Sequence, residues 1–299
     1  MAEPRIPTRV GDLAVRVVGD GPPAVLWHSL FVDARSWDRV VDELAHDRTL
    51  VIITGPGHGA SADPGHGYSL DDCAAAAGEV LDTLGIDQPV DWLGNAWGGH
   101  VGVVFAATWP ARCRTLITFG TPIQGYGRSE RLLFRALLAV YRVIGMRDVL
   151  SRSICETLLS ASTRAHDPAA VVLVLDSLRT MRRGHLSNAM HSISIRRPDL
   201  SDRLAAITCP TLFVTGTDHA EWSGERATAS ARALRAGAAV VVPDTAYLTP
   251  LEAPSAVIDL VREWWASAHA QAAPTRRDAT LRFVASPRLS DIDPTRRVS

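Results

Sequence analysis

The sequence predicts an α/β fold, a mostly parallel central sheet flanked by helices and carrying an inserted helical cap. Three observations lead there. Short β-branched runs alternate with longer segments of helical period, the pattern of a sheet covered on both faces. The alternation stops once, from about residue 123 to residue 200, where helical patterns follow one another with no strand between them. A chain of 299 residues with 46% hydrophobic content can bury one large core, so no second fold is needed.

In chain order, Leu13–Val18 is expected to pair as a hairpin with the segment before Gly11. Further strands are expected at Ala24–Trp27, Leu50–Ile53, Val90–Leu93, Thr115–Phe119, Leu212–Thr215 and Val240–Val242. Helical spacing occupies Trp37–Ala45, Leu70–Leu84 and Gly98–Trp109. In the interrupted region it occupies Leu132–Ile144, Val149–Leu159, Ala169–Met181 and Leu186–Ile195. Pro254 opens a closing helix to Ala268, with apolar residues on one face. Residues 1–122 and 201–270 therefore read as two parts of one core, 123–200 as the cap, and 271–299 as a disordered tail with little apolar periodicity.

Charge and cysteine usage narrow the function. Lys plus Arg (31) nearly balance Asp plus Glu (32), which leaves neither a basic stripe for nucleic acid nor a polybasic anchor for an anionic membrane. Apolar stretches are broken by Arg135, Arg142 or Asp176 short of a membrane span. The opening Met1-Ala2-Glu3-Pro4-Arg5 lacks the character of a signal peptide, so no membrane insertion and a cytoplasmic location are expected. Cys73, Cys113, Cys155 and Cys209 are scattered and read as small buried hydrophobes. No motif points to a metal, nucleotide, flavin or other cofactor: Gly94 to Gly99 lacks the lysine of a phosphate loop. Nothing in the sequence specifies an oligomeric state.

The chemistry lies in loops that follow strands. Val90-Asp91-Trp92-Leu93-Gly94-Asn95-Ala96-Trp97-Gly98-Gly99 passes from a strand through a glycine-bracketed turn into a helix. Around it, in order, stand His28-Ser29-Leu30 with Trp37, Pro56-Gly57-His58-Gly59-Ala60-Ser61, Cys209 to Gly216, and Pro243 to Pro254. Together these segments resemble the α/β-hydrolase superfamily over about residues 10 to 268. The resemblance implies the α/β-hydrolase fold, with Gly94 and Gly98 framing a nucleophile elbow.

Carried over residue by residue, the family's serine position holds Ala96. Its acid position holds His219, with Asp218 beside it, and its histidine position holds Tyr247. A serine hydrolase needs a hydroxyl to attack the carbonyl and an imidazole to take the proton. A methyl group cannot attack, and a phenol titrating near 10 is no neutral-pH base. The triad therefore reads as degenerate, with Tyr247, His219 and Asp218 as non-standard candidates for proton transfer; Asp218 and His219, adjacent on an extended loop, are expected to point apart. The backbone N–H groups of Trp97 and Leu30 survive as an oxyanion hole, since replacing the serine does not remove them. His28, Ala96 and Trp222 are expected to border the pocket, and the tryptophans there suit a flat or polycyclic apolar ligand. Two functions follow: a non-hydrolytic enzyme (cyclisation, isomerisation, elimination or similar) acting on a small hydrophobic carbonyl compound, or a pseudoenzyme that binds a ligand or partner without turnover.

Overall fold

The structure, a computed structural model, describes residues 3–270 and 281–283. Among the described residues nine strands form one sheet in the order β1-β2-β4-β3-β5-β6-β7-β8-β9. β1 (Arg5–Ile6) runs antiparallel to β2 (Leu13–Val18), which is antiparallel to β4 (Thr49–Ile53). The remaining pairs are parallel: β4 with β3 (Pro23–Trp27), β3 with β5 (Val90–Asn95), and then β6 (Cys113–Phe119), β7 (Thr211–Gly216), β8 (Gly237–Val242) and β9 (Leu281–Phe283). The sheet is thus mostly parallel, as expected. Three residues of the expected tail form its edge strand; the rest of that tail lies outside the described residues.

Alternating strand residues feed two core layers, because successive side chains leave opposite faces of a strand. Val25, Trp27, Val51 and Ile53 pack with α2 (Leu70–Thr83) and α3 (Trp97–Thr108). Ala24, Leu26, Leu50 and Ile52 pack with α1 (Asp38–Leu44) and α11 (Pro254–Ala270). Ser69 and Asp72 start α2 as a reciprocal capping box. After β3 the chain moves outward to β4, then crosses back to β5 on the other side of β3. That reversal opens a crevice at the carboxyl ends of β3 and β5, the place where open α/β sheets bind ligands.

Between β6 and β7 come α4 (Arg128–Ile144), α5 (Asp148–Leu158), α6 (Ala161–His166), α7 (Pro168–Thr180) and α8 (Arg183–Ala189). Two details differ from the sequence expectation. The six-residue α6, capped by Ser160, is an additional element, and the stretch expected as one helix over Leu186–Ile195 changes at Met190 into a π turn (Met190–Ile195). Such turns recur at functional sites, and this one reaches the crevice. α9 (Gly224–Arg232) and α10 (Thr249–Glu252) complete the core.

Candidate active site beneath the cap helices

The site is built around the turn from β5 into α3. Ala96 adopts φ 46° and ψ −101°, a positive φ that is uncommon for a residue with a side chain. The turn is tight on every side. A Cβ on Gly94 would lie 2.2 Å from the Gly98 carbonyl oxygen, and one on Gly98 would lie 1.9 Å from the Trp27 carbonyl oxygen. Ala96 N–H donates to Phe119 O at 2.8 Å, and the Asn95 side-chain amide donates to Phe119 O and to Tyr247 O, so three loops are fastened together. The Ala96 methyl faces a cavity of about 140 Å³.

Leu30 and Trp97 line this cavity with Ala96. Trp97 is the first residue of α3, where a helix has N–H groups to spare. Among the described residues, neither its N–H nor that of Leu30 donates to a protein acceptor. Two residues that line the cavity with Ala96 therefore keep unpaired backbone donors, with the positive end of the α3 dipole at one of them.

The structure divides the remaining candidates. Tyr247 lines the cavity, and burial pushes its phenol above the ordinary range. His219 lies beneath it, stacked with ring centroids 3.6 Å apart and planes inclined at 26°, and does not line the cavity. Its Nδ1 accepts from the N–H groups of Glu221 (3.2 Å) and Trp222 (3.0 Å), and burial lowers its pKa to about 4, so the ring stays neutral. Nε2 then carries the proton and lies against Gly120 without a well-formed hydrogen bond. Asp218 is exposed and bonds to Thr217 rather than to the His219 ring. No Asp218–His219 acid-base pair exists over Ala96, because the loop turns the two side chains apart.

Two pocket assignments are corrected. His28 is fully buried below the cavity: Nδ1 donates to Ser29 O at 2.7 Å and Nε2 accepts from Gly55 N–H at 2.8 Å, while burial lowers its pKa to about 3. Trp222 is fully buried against Phe213. Both hold loops in place and neither reaches the cavity.

The cavity also contains side chains that the sequence did not single out. Tyr126 donates its hydroxyl to Glu221 Oε2 at 3.1 Å, and the Arg197 guanidinium lies over the Tyr126 ring at 4.5 Å. Arg197 is 3% exposed; its Nη1 donates to Pro122 O and meets His100 Nε2 at 2.6 Å. Among the described residues it has no carboxylate within ion-pair distance. Burial lowers its pKa, and Tyr126, Glu221 and Asp199 counter that effect. Burial, then the charge of Arg197, hold His100 well below its usual range. An Arg-Arg-Pro-Asp run at the end of a helical region gave no signal of this; only the cap's return to the core puts Arg197 on the same cavity as Glu221. Among the described residues no cluster of three or more His, Cys, Asp or Glu could hold a metal, and no helix is long and apolar enough to cross a membrane.

Known proteins share this architecture. A 2-hydroxy-6-oxononadienedioate/2-hydroxy-6-oxononatrienedioate hydrolase of Klebsiella pneumoniae is 31% identical over 215 residues, covering 69% of this chain and 70% of that protein. An (E)-2-((N-methylformamido)methylene)succinate hydrolase of Acinetobacter baylyi is 23% identical over 249 residues, covering 82% and 91%. Among solved structures, a thermophilic esterase from Thermogutta terrifontis superposes with a TM-score of 0.83 at 24% identity, covering 90% of this chain and 100% of that one. The enol-lactonase of Burkholderia xenovorans does so with 0.78 at 22% identity, covering 88% and 100%. Residues 24–260 match the profile of the alpha/beta hydrolase family, and the chain belongs to that family.

Proposed function

We propose that this pocket binds a small carbonyl compound and works on it without an acyl-enzyme. The carrying observation is the Ala96 methyl at the strained turn, facing the cavity that Leu30 and Trp97, both with unpaired backbone N–H groups, also line. With no hydroxyl at that point, the triad is degenerate, and covalent capture of an acyl group has no first step. The N–H groups of Leu30 and Trp97 still stabilise negative charge developing on a carbonyl oxygen, and removing one such donor typically costs about 2.7–4 kcal/mol in the transition state. An enolate held there suits isomerisation, elimination or cyclisation.

Protons then move at side chains that share the void. Glu221 is the carboxylate lining it, oriented by Tyr126, and it accepts the α-proton; the neutral Tyr247 phenol gives a proton to the product and recovers one from the Glu221 acid through solvent, restoring both groups. The named substrates of the Klebsiella relative carry an oxo group and carboxylates. A compound of that class would place its carbonyl at the backbone donors and its carboxylate toward Arg197.

The test is twofold. A serine-directed fluorophosphonate should leave the intact mass unchanged, and Ala96→Ser alone should give little aryl-ester hydrolysis, because the members of a triad act together. A covalent adduct on the unaltered protein would overturn the proposal. Incubating small oxo acids in D₂O should exchange the α-hydrogen, and Glu221→Gln should slow that exchange by about 10²-fold or more. A second reading, binding without turnover, draws on the neutral, backbone-bound state of His219. It predicts a ligand recovered unaltered and without deuterium.

A further inference from the structure

Cys113 and Cys209 come together at the edge of the sheet opposite the cavity, where β6 and β7 begin. β6 pairs with β5 as Val90 with Cys113 and then as Asp91 with Thr115, so Arg114 is an extra residue on β6. Such an irregularity re-aims the side chains around it. Arg114 and Thr115 both reach the buried Asp91 carboxylate, Arg114 Nε at 2.9 Å and Thr115 Oγ1 at 2.7 Å, and Cys113 is left against Cys209. Leu116 N–H donates to Pro210 O at 3.0 Å and the Thr211 hydroxyl donates to Cys209 O at 3.1 Å, which fixes the chain entering β7. The two sulfurs lie 3.8 Å apart.

All four cysteines are buried with free thiols, as small hydrophobes would be. Sulfur meets sulfur only in this pair, since Cys73 lies in α2 and Cys155 in α5. Neighbouring strands stand about 4.8 Å apart, within the about 4.4–6.8 Å that separates the Cα atoms of a disulfide. Side-chain rotation then has to close the sulfurs from 3.8 Å to about 2.05 Å. The two thiols are unequal. Contact with Cys113 lowers the Cys209 thiol below its ordinary value, while contact with Cys209 and then burial raise Cys113. Cys209 is therefore the better source of thiolate. It is also nearer to solvent, 7% exposed and preceded by exposed Thr208.

We propose that Cys113 and Cys209 form a site of oxidative crosslinking by a hydroperoxide. The Cys209 thiolate attacks one peroxide oxygen and the O–O bond breaks. The departing oxygen takes up the proton that Cys209 released and leaves as water or an alcohol, and Cys209 becomes a sulfenic acid. The Cys113 sulfur then attacks that of Cys209, the S–O bond breaks, and the Cys113 proton leaves with the oxygen as water. Two thiols thus lose two electrons and two protons, and the hydroperoxide gains them. The segment 113–209 contains the whole cap, so the new bond ties the chain where it leaves for the insertion and where it returns. Closing so long a loop restricts the unfolded chain. The cavity, at the far end of β6, is about 20 Å away and keeps its shape.

The experiment treats the full, folded chain with hydrogen peroxide and reads its intact mass and its linked peptides. The mass should fall by about 2 Da, with the Cys113 and Cys209 peptides joined, and dithiothreitol should reverse the change. Cys73 and Cys155 should stay open to alkylation once the oxidised protein is unfolded. The melting midpoint should rise by about 5 °C or more on oxidation and return on reduction. Cys113→Ser should abolish the loss of mass and leave on Cys209 a sulfenic acid that dimedone traps. Thermal unfolding of this variant near the midpoint of the reduced, unaltered protein would show that it is folded. In the unaltered protein, an unchanged mass, or oxidation without a link between Cys113 and Cys209, would overturn the proposal whatever the variant does. So would a link that leaves the midpoint unchanged or lower.

Discussion

Ala96 is held in a backbone conformation that glycine reaches at lower cost. Ala96→Gly should therefore stabilise the fold by about 1 kcal/mol, relief of strain exceeding the added freedom of the unfolded chain. Urea unfolding measures this, and a loss of similar size would show the turn to be unstrained. The opposite change is expected two residues on. Gly98→Ala drives a methyl into the Trp27 carbonyl, where backbone rather than a flexible side chain must yield, and should cost about 3 kcal/mol. These positions were legible in the sequence because a glycine-bracketed turn between strand and helix has few alternatives. Arg197 and Glu221 were not legible. That both line one cavity depends on how the cap returns to the core, and no local pattern encodes it.

Glu252 in α10 joins two elements that carry the site. Its Oε1 accepts from Ala246 and Leu248 N–H, on either side of Tyr247, at 2.9 and 3.2 Å; its Oε2 accepts from Ser160 N–H and the Thr163 hydroxyl at the start of α6, at 2.7 and 3.0 Å. Glu252→Gln puts an amide donor where an acceptor is needed and should cost about 2 kcal/mol. Amide hydrogen exchange should quicken at Ala246 and Leu248 before it does in the sheet; unchanged protection there would deny the link. At this scale the sheet was readable, since β-branched runs alternating with helical period leave little choice of architecture. The six residues of α6 are too few to display a period, and the π turn after α8 differs from a helix in hydrogen bonding that composition does not record.

Among the described residues four imidazoles are buried, those of His28, His58, His100 and His219, each held below its ordinary value chiefly by burial. Unfolding releases them to about 6.5, so the unfolded chain takes up more protons as pH falls. Their stabilisation is complete above that value and declines as pH drops toward about 4 for His219 and about 3 for His28. Asp167, held at about 2 by Arg39, adds its loss at lower pH, whereas Glu252, raised by burial, has the opposite sign. The melting temperature should therefore begin to fall below pH 6.5, before the carboxylates titrate. A flat profile from pH 6.5 to about 4.5 would contradict it. Where His219 now sits, the amides of Glu221 and Trp222 converge on a single acceptor atom. Two converging amides are also what a carboxylate requires, so His219→Asp would meet a ready-made anion cradle without rebuilding the loop.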